Sequence, residues 1–142
     1  MKSEEIIAKL PYSKPFLFVD KIIEINENRV VGSYTFDEKA DFYKGHFKDK
    51  PITPGVLLTE VMAQIGLVCL GIYLLKNSFS KDASIALTST DIDFLMVVLP
   101  GEKLTVFSEK IYFRFGKLKC KVLMTNEQGT EVCKGIIAGM MI

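Results

Sequence analysis

The chain of 142 residues contains one histidine, no tryptophan and three cysteines, and each scarcity excludes a kind of site. A single histidine cannot build a histidine-based metal centre, and Cys69, Cys120 and Cys133 lack the spacing of metal ligands. Their odd number also argues against a disulfide framework. The sequence therefore predicts no metal ion and no bound cofactor, and it favours a reducing cytoplasm.

Net charge is almost absent, because 18 Lys and Arg residues are balanced by 17 Asp and Glu residues. This balance leaves no excess of basic residues with which to bind nucleic acid. The first ten residues carry acidic side chains without an apolar core and cleavage site, so we expect a short helix there and no signal peptide. Residues 56–75 approach the length of a membrane span, but Glu60 and Gln64 lie inside the run. We therefore expect a helix buried within the fold and no membrane span.

The chain is rich in apolar residues, at 49%, and they fall into strand-like runs on both sides of that helix. Residues 16–25 and 29–36 flank a short polar turn, which predicts a β-hairpin. Further strands are predicted over residues 84–94, 104–115, 118–125 and 132–141, and the polar segment 76–82 is expected to end the helix. One long apolar helix with about six strands predicts an α+β fold. In it an antiparallel sheet wraps around the helix, in one domain covering residues 1–142.

Two residues are candidates for catalysis, His46 and Glu60. His46 lies in the connection 37–54, which is long for so small a domain. Glu60 lies near the start of the apolar helix, where a carboxylate is costly unless it is protonated, paired or used. Gln64, one turn further along, is placed to orient it. Each residue alone has an ordinary structural interpretation, as a solvated histidine or as a glutamate facing a groove or a subunit seam. Together they suit an acid and base pair.

A longer pattern surrounds these residues. It runs Gly-His-Phe at 45–47, Lys-Pro-Ile-Thr-Pro-Gly-Val-Leu at 50–57, Glu60, and Ala-Gln at 63–64. The pattern resembles the active-site signature of the FabZ-type 3-hydroxyacyl-acyl carrier protein dehydratases, including the spacing from His to Glu. Leu10-Pro11 with residues 15–20 resembles the opening motif of that family, and residues 99–102 resemble its late turn. The resemblance therefore spans nearly the whole chain, and it implies the hot-dog fold.

The resemblance implies a lyase that converts 3-hydroxyacyl-acyl carrier protein to the trans-2-enoyl product in fatty acid, related lipid or polyene biosynthesis. Elimination of water removes a proton from C2 and protonates the departing C3 hydroxyl. A neutral His46 suits the base, and Glu60 suits the acid because its apolar surroundings raise its pKa. The backbone N–H at Gly55, where the helix starts, is expected to stabilise the thioester oxygen, and Gln64 to hold the acid.

The resemblance also implies partners. It implies a homodimer in which His46 of one chain faces Glu60 of the other, and family members also form trimers of dimers. The substrate carrier is acidic acyl carrier protein, for which the candidate contacts are Lys44, Lys48, Lys50, Arg114, Lys117 and Lys119. The candidate residues for lining an acyl tunnel are Phe42, Phe47, Phe94 and Leu95.

Two departures from the family pattern leave the pathway, the carrier and the acyl chain length open. Tyr12-Ser13 stands where the family has His-Arg, and residues 91–98 lack the basic residues usual before the Pro-Gly turn. Two other functions also remain open, a hot-dog acyl thioesterase and a non-catalytic subunit that binds acyl carrier protein. Product analysis distinguishes the thioesterase, because it releases a free thiol where the dehydratase leaves an enoyl thioester.

Overall fold

The computed structural model describes residues 1–78 and 84–142, and it contains one antiparallel sheet of six strands. The strands are β1 (Lys21–Ile25), β2 (Arg29–Thr35), β3 (Ile85–Phe94), β4 (Lys103–Arg114), β5 (Lys117–Thr125) and β6 (Glu131–Met141). Their order across the sheet is β1-β2-β4-β5-β6-β3, so β1 and β3 form its edges. Within the described residues the sheet is accompanied by helix α1 (Ser3–Ala8), by the central helix α2 (Gly55–Leu75) and by a short 3-10 helix, Asp41–Lys44, in the connection that carries His46. The predicted α+β architecture of six strands and one long helix is confirmed.

Helix α2 supplies the core against which the sheet packs. Its middle turns, Gln64–Cys69, are π-helical, and every residue in them is buried. A π segment disturbs the regular helical hydrogen bonding, so its backbone groups are open to other partners. The Gly66 carbonyl accepts hydrogen bonds from the Ser108 hydroxyl of β4 and the Cys120 thiol of β5, at 3.1 and 3.6 Å. A Cβ atom on Gly66 would lie 3.1 Å from Ser108 Cβ, so glycine lets the strand approach the helix this closely.

The same helix is long and apolar enough to cross a membrane, with a mean hydropathy of 1.9 over its most apolar window. Within the fold, however, 72% of that window is buried. The core helix of a globular protein has the same length and composition, and here strands β2, β4 and β5 contact its middle turns. The helix therefore occupies the core position that the sequence predicts for it.

The strand predicted from residue 16 is wrong at its start, because β1 begins only at Lys21. Phe18 and Val19 are buried as expected of a strand, but the backbone here binds a side chain. The Phe18 N–H donates to Gln64 Oε1 at 2.8 Å, and the Phe16 carbonyl accepts from Gln64 Nε2 at 2.9 Å. A side-chain amide offers one acceptor and donors, as a neighbouring strand does. This apolar run is therefore bound to helix α2 instead of to the sheet.

The other element boundaries lie close to their predictions. The ends of β2 to β6 differ by at most one residue from the predicted ends, and the short helix expected at the N-terminus is α1. Helix α2 ends at Leu75, and a 3-10 turn, Lys76–Ser78, follows it within the polar segment predicted to end the helix. The remainder of that segment lies outside the described residues. The described elements share one hydrophobic core, and the extent of the domain stays a prediction.

Candidate active site

The imidazole of His46 is held by the backbone of Ile52. His46 Nδ1 lies 2.8 Å from the Ile52 carbonyl oxygen, and the Ile52 N–H donates to the His46 carbonyl at 2.9 Å. A carbonyl oxygen only accepts, so Nδ1 carries the hydrogen and Nε2 of the neutral ring keeps its lone pair. The half-buried ring also stacks on Phe47, with the ring centroids 4.5 Å apart. The loop therefore presents Nε2 as the basic atom of His46.

The carboxyl group of Glu60 is half-buried on the second turn of helix α2, where Gln64 Nε2 donates to its Oε2 at 2.9 Å. Burial raises the pKa of Glu60 above its ordinary value, and the hydrogen bond from Gln64, which favours the carboxylate, partly offsets that rise. The proton therefore stays on Glu60 to a higher pH than on an exposed glutamate. The predicted contact between Gln64 and Glu60 is present.

Gln64 is fully buried, and three groups fix its side-chain amide. Its oxygen accepts from the Phe18 N–H, and its nitrogen donates both to the Phe16 carbonyl and to Glu60. The amide therefore cannot rotate without breaking a buried hydrogen bond. Sequence reasoning missed the support from residues 16–18, because their apolar character also fits a strand.

Gly55 is the first residue of helix α2 and follows Pro54 directly. The N–H groups of Gly55 and Val56 make no hydrogen bond within the described residues, as expected at the first turn of a helix. The Phe94 ring covers this turn, because a Cβ atom on Gly55 would lie 3.1 Å from Phe94 Cε1. Because residue 55 is a glycine, the positive end of helix α2 can lie close to the Phe94 ring.

His46 and Glu60 are supported separately. Within the described residues of one chain, no hydrogen bond or ion pair joins the two side chains. Tyr12, one of the departures from the expected motif, lies close enough to Glu60 to interact with its charge. Burial raises the pKa of Tyr12 to about 12, and the charge of Glu60 contributes to the rise. The departure at Tyr12 is therefore within the electrostatic influence of the carboxyl group.

The two groups of basic residues lie at opposite ends of helix α2. Lys44, Lys48 and Lys50 are exposed around His46, and Lys44 pairs with Asp41 at 3.1 Å. Arg114 and Lys119 lie over the Tyr112 ring, 4.3 and 5.9 Å from its centroid. The hairpin that carries this second pair packs near the C-terminal end of the helix, where Leu118 lies 3.9 Å from the position of a Cβ on Gly71. Only the first group is close to His46 in the same chain.

The four aromatic and aliphatic candidates for a tunnel lie in three places. Phe42 lines a groove of about 790 Å³ together with Phe16, Phe18, Tyr34, Phe36 and Leu57. Phe94 and Leu95 are about half exposed beside the start of helix α2, and Phe47 is 58% exposed against His46. The structure therefore does not gather these four residues into one lining.

The cysteines are all buried, and burial raises the pKa of each thiol. Reactive cysteines have lowered pKa values, so these thiols are structural. Among residues 1–78 and 84–142, no three His, Cys, Asp or Glu side chains are placed to hold a metal ion. That no cofactor is needed stays a prediction.

The family model for the FabA-like domain matches residues 10–135. The chain is 36% identical over 141 residues to 3-hydroxyacyl-[acyl-carrier-protein] dehydratase FabZ of Clostridium perfringens, covering 96% of each protein. It is 35% identical over 135 residues to the enzyme of the same name from Caldicellulosiruptor bescii, covering 93% of this chain and 92% of the relative.

Solved structures resemble the chain in fold at low identity. The dehydratase heterocomplex ApeI:P from Xenorhabdus doucetiae has a TM-score of 0.80 at 16% identity, covering 96% of this chain and 90% of that chain. A mutant of thioesterase PA1618 from Pseudomonas aeruginosa has a TM-score of 0.72 at 12% identity, covering 100% and 94%. These likenesses confirm the predicted hot-dog fold and do not by themselves separate dehydration from thioester hydrolysis.

Proposed function

This chain belongs to the FabA-like family, among the 3-hydroxyacyl-[acyl-carrier-protein] dehydratases of the FabZ type, and we propose that His46 and Glu60 perform its chemistry. The activity is dehydration of a 3-hydroxyacyl group carried by acyl carrier protein, in fatty acid biosynthesis. The assignment of these two residues rests on how each side chain is held, His46 by the Ile52 carbonyl and Glu60 by Gln64. The first contact leaves His46 Nε2 free, and the second orients Glu60, whose burial raises its pKa.

His46 is the proposed base. Because the Ile52 carbonyl holds the hydrogen of Nδ1, the lone pair of Nε2 is available for the C2 proton of the substrate. The electrons of the C2–H bond become the C2–C3 double bond as the C3–O bond breaks. The protonated ring keeps its hydrogen bond to Ile52, so it does not have to reorient during the step.

Glu60 is the proposed acid. Burial raises its pKa, which favours the protonated form that can supply the proton the C3 hydroxyl needs in order to leave as water. Loss of that proton creates a carboxylate, which the Gln64 amide already contacts at 2.9 Å. The site is restored when the imidazolium releases a proton and the carboxylate regains one.

The start of helix α2 is the proposed site for the thioester oxygen, which gains negative charge as C2 loses its proton. Gly55 and Val56 offer free N–H groups at the positive end of the helix. This position lies within the same first two turns as Glu60, so one rigid element carries both the acid and the oxyanion donor.

A homodimer with shared sites is part of the proposal. Strand β3 is an edge of the sheet, and an edge strand offers unpaired backbone groups to another chain. Next to it, residues of the helix start and of β3 line one open surface, and Val56 on that surface is 78% exposed. A second copy paired there covers these apolar residues and, in the shared site that the family resemblance implies, supplies a His46 that faces Glu60. Trimers of such dimers are a further expectation.

The carrier is proposed to dock beside Lys48 and Lys50. Helix α2 has 21 residues and is therefore about 30 Å long, so the basic hairpin at its other end lies far from His46 of the same chain. An acidic carrier near these lysines is attracted by their charge. A cytoplasmic location also belongs to the proposal. A related lipid or polyene pathway is the alternative to housekeeping fatty acid synthesis, and it rests on the altered charge of residues 91–98.

The test is incubation with 3-hydroxyacyl-acyl carrier protein, with water loss followed by absorbance and mass, for the parent, His46→Ala and Glu60→Gln. We expect enoyl product from the parent and a loss of about 10²–10⁴-fold in rate for each variant. Release of free carrier thiol by the parent would instead identify a thioesterase. Carrier binding without turnover would identify a non-catalytic subunit.

A further inference from the structure

The loop that carries His46 is closed at its base by a buried contact between two hydroxyl groups. Tyr43 Oη and Thr53 Oγ1 lie 2.6 Å apart, and the two residues are only 5% and 2% exposed. Tyr43 precedes His46 by three positions, and Thr53 comes just before Pro54 and the start of helix α2. The hydrogen bond therefore joins the entrance of the loop to its exit.

The exit side of this contact leads directly to the imidazole. Thr53 follows Ile52, which bonds His46 through both its N–H and its carbonyl oxygen. Thr53 is also fixed by its own N–H, which donates to the Val98 carbonyl at 2.8 Å. Because a peptide unit moves as a plane, displacement of Thr53 also displaces the Ile52 carbonyl that holds Nδ1.

The entrance side leads to the support of Glu60. The Tyr43 ring lies 4.5 Å from the Phe42 ring, and Phe42 continues an aromatic row through Phe36 to Phe18, at 5.7 and 5.2 Å between centroids. The Phe18 N–H holds Gln64, which holds Glu60. The ring of Tyr43 is thus connected to the support of Glu60 only through this row of rings, whereas its hydroxyl contacts Thr53 directly.

We propose that Tyr43 is a positioning residue for His46, whose hydroxyl fixes the orientation of the imidazole through Thr53 and Ile52. Tyr43 does not touch the substrate. The proposal rests on the proposed function, because the orientation of His46 matters to the rate only if His46 is the base. Nothing in the aromatic packing requires the hydroxyl, so Tyr43→Phe removes the positioning bond and keeps the ring.

The kinetic test compares Tyr43→Phe and Thr53→Val with two controls. Thr53→Ser keeps a hydroxyl and should restore the parental rate. Tyr73→Phe removes a hydroxyl that makes no hydrogen bond within the described residues, from a half-buried ring near the C-terminal end of helix α2, and it should keep the parental rate. We expect Tyr43→Phe and Thr53→Val each to lower kcat about tenfold or more, with KM nearly unchanged, as for other groups that support a functional histidine. The double variant should be no slower than the slower single variant, because both remove one bond.

A second measurement, NMR of the ring nitrogens, reports on His46 directly. Because it is the only histidine in the chain, ¹⁵N-histidine labelling gives ring nitrogen signals that need no assignment. We expect the neutral ring of the parent to carry its hydrogen on Nδ1 and Tyr43→Phe to give a mixture of the two tautomers. A merely structural role would lower activity only in proportion to the unfolded fraction, and it would leave the tautomer unchanged in the folded protein.

Unchanged kcat in Tyr43→Phe, or a lowered kcat with the parental tautomer, overturns the proposal. His46→Ala separates this failure from failure of the proposed function. An inactive His46→Ala beside a fully active Tyr43→Phe rejects only the positioning role, whereas an active His46→Ala rejects the role of His46 as base and the positioning role with it.

Discussion

The two proposed catalytic residues are held in contrasting ways. Glu60 is on a helix and is oriented by Gln64, a side chain that is fully buried and bonded on all sides. His46 is on a loop and is oriented by a main-chain carbonyl, that of Ile52. A support made of a side chain depends on one residue identity, whereas a support made of backbone depends on the path of the chain. Single substitutions should therefore affect the two sides very differently.

Removal of the Glu60 support has the largest expected effect. Gln64→Leu leaves the Phe18 N–H and the Phe16 carbonyl without their partner beside the core. Only the Phe18 bond is buried, because Phe16 is 46% exposed and its carbonyl can bind water instead. A buried backbone group left unpaired costs about 1–3 kcal/mol, so we expect the free energy of unfolding to fall by about 2 kcal/mol. Dehydration should also slow by about tenfold or more, because a supporting residue of this kind is lost.

Urea unfolding and turnover measured on the same preparation check this expectation. Gln128→Leu is the matched control, since Gln128 is exposed in the turn between β5 and β6 and should change stability by less than about 0.5 kcal/mol. Equal effects of the two substitutions would mean that the buried amide network is not a special support.

Reversing the exposed charges of the His46 loop should have a smaller effect. It should weaken binding of the carrier and leave the chemical step unchanged. Lys48→Glu with Lys50→Glu should raise KM for acyl carrier protein substrates about tenfold at low salt, and less as salt screens the attraction. kcat should stay close to the parental value. Lys117→Glu with Lys119→Glu changes charge equally at the far end of helix α2. A larger KM increase from that second pair would place the carrier there.

The pH dependence of stability should show the burial of Glu60. Because its pKa is higher in the folded protein than in the unfolded chain, the folded state binds more protons between those two pKa values. The contribution of Glu60 to the free energy of unfolding therefore falls as pH rises through that interval and is constant above it. Glu60→Gln removes this titration, so its stability relative to the parent should increase with pH from about 4 upward. Parallel stability curves for the two proteins from pH 4 to pH 8 would contradict this account of Glu60.

The smallest effect is expected at the residue that holds His46. Ile52 supplies its carbonyl oxygen and its N–H, and neither depends on the side chain. Ile52→Val should therefore leave kcat within about twofold and lower the free energy of unfolding by about 1 kcal/mol or less. A large loss of activity with an intact fold would show that the side chain itself has a role at the site.

Much of the fold follows from local patterns. Strands β2 to β6 are bounded by Gly, Pro and Asn turns, and their ends lie within one residue of the predicted ends. The segment before Lys21 departs from its prediction because the partner of its backbone is Gln64, 46 and 48 residues away along the chain. A local apolar pattern does not identify such a partner.

The candidate site likewise has a part that the sequence predicts and a part that only the folded chain determines. His46, Glu60, Gly55 and Gln64 are recognisable by residue type and spacing, and the contact between Gln64 and Glu60 follows from helix geometry. The carbonyl of Ile52 and the hydroxyl pair of Tyr43 and Thr53 are not recognisable. Every residue has a carbonyl, and only the path of the folded loop determines which one meets the imidazole.

The most direct test of the central claim, that one site takes His46 from one chain and Glu60 from its partner, is complementation. Inactive His46→Ala and Glu60→Gln proteins are mixed, exchanged by mild denaturation and refolding, and assayed for enoyl product. A shared site predicts recovery of about one quarter of the parental activity, because about half of the dimers are mixed and each mixed dimer has one intact site. No recovery, in a mixture shown by mass to contain the mixed dimer, would contradict the claim.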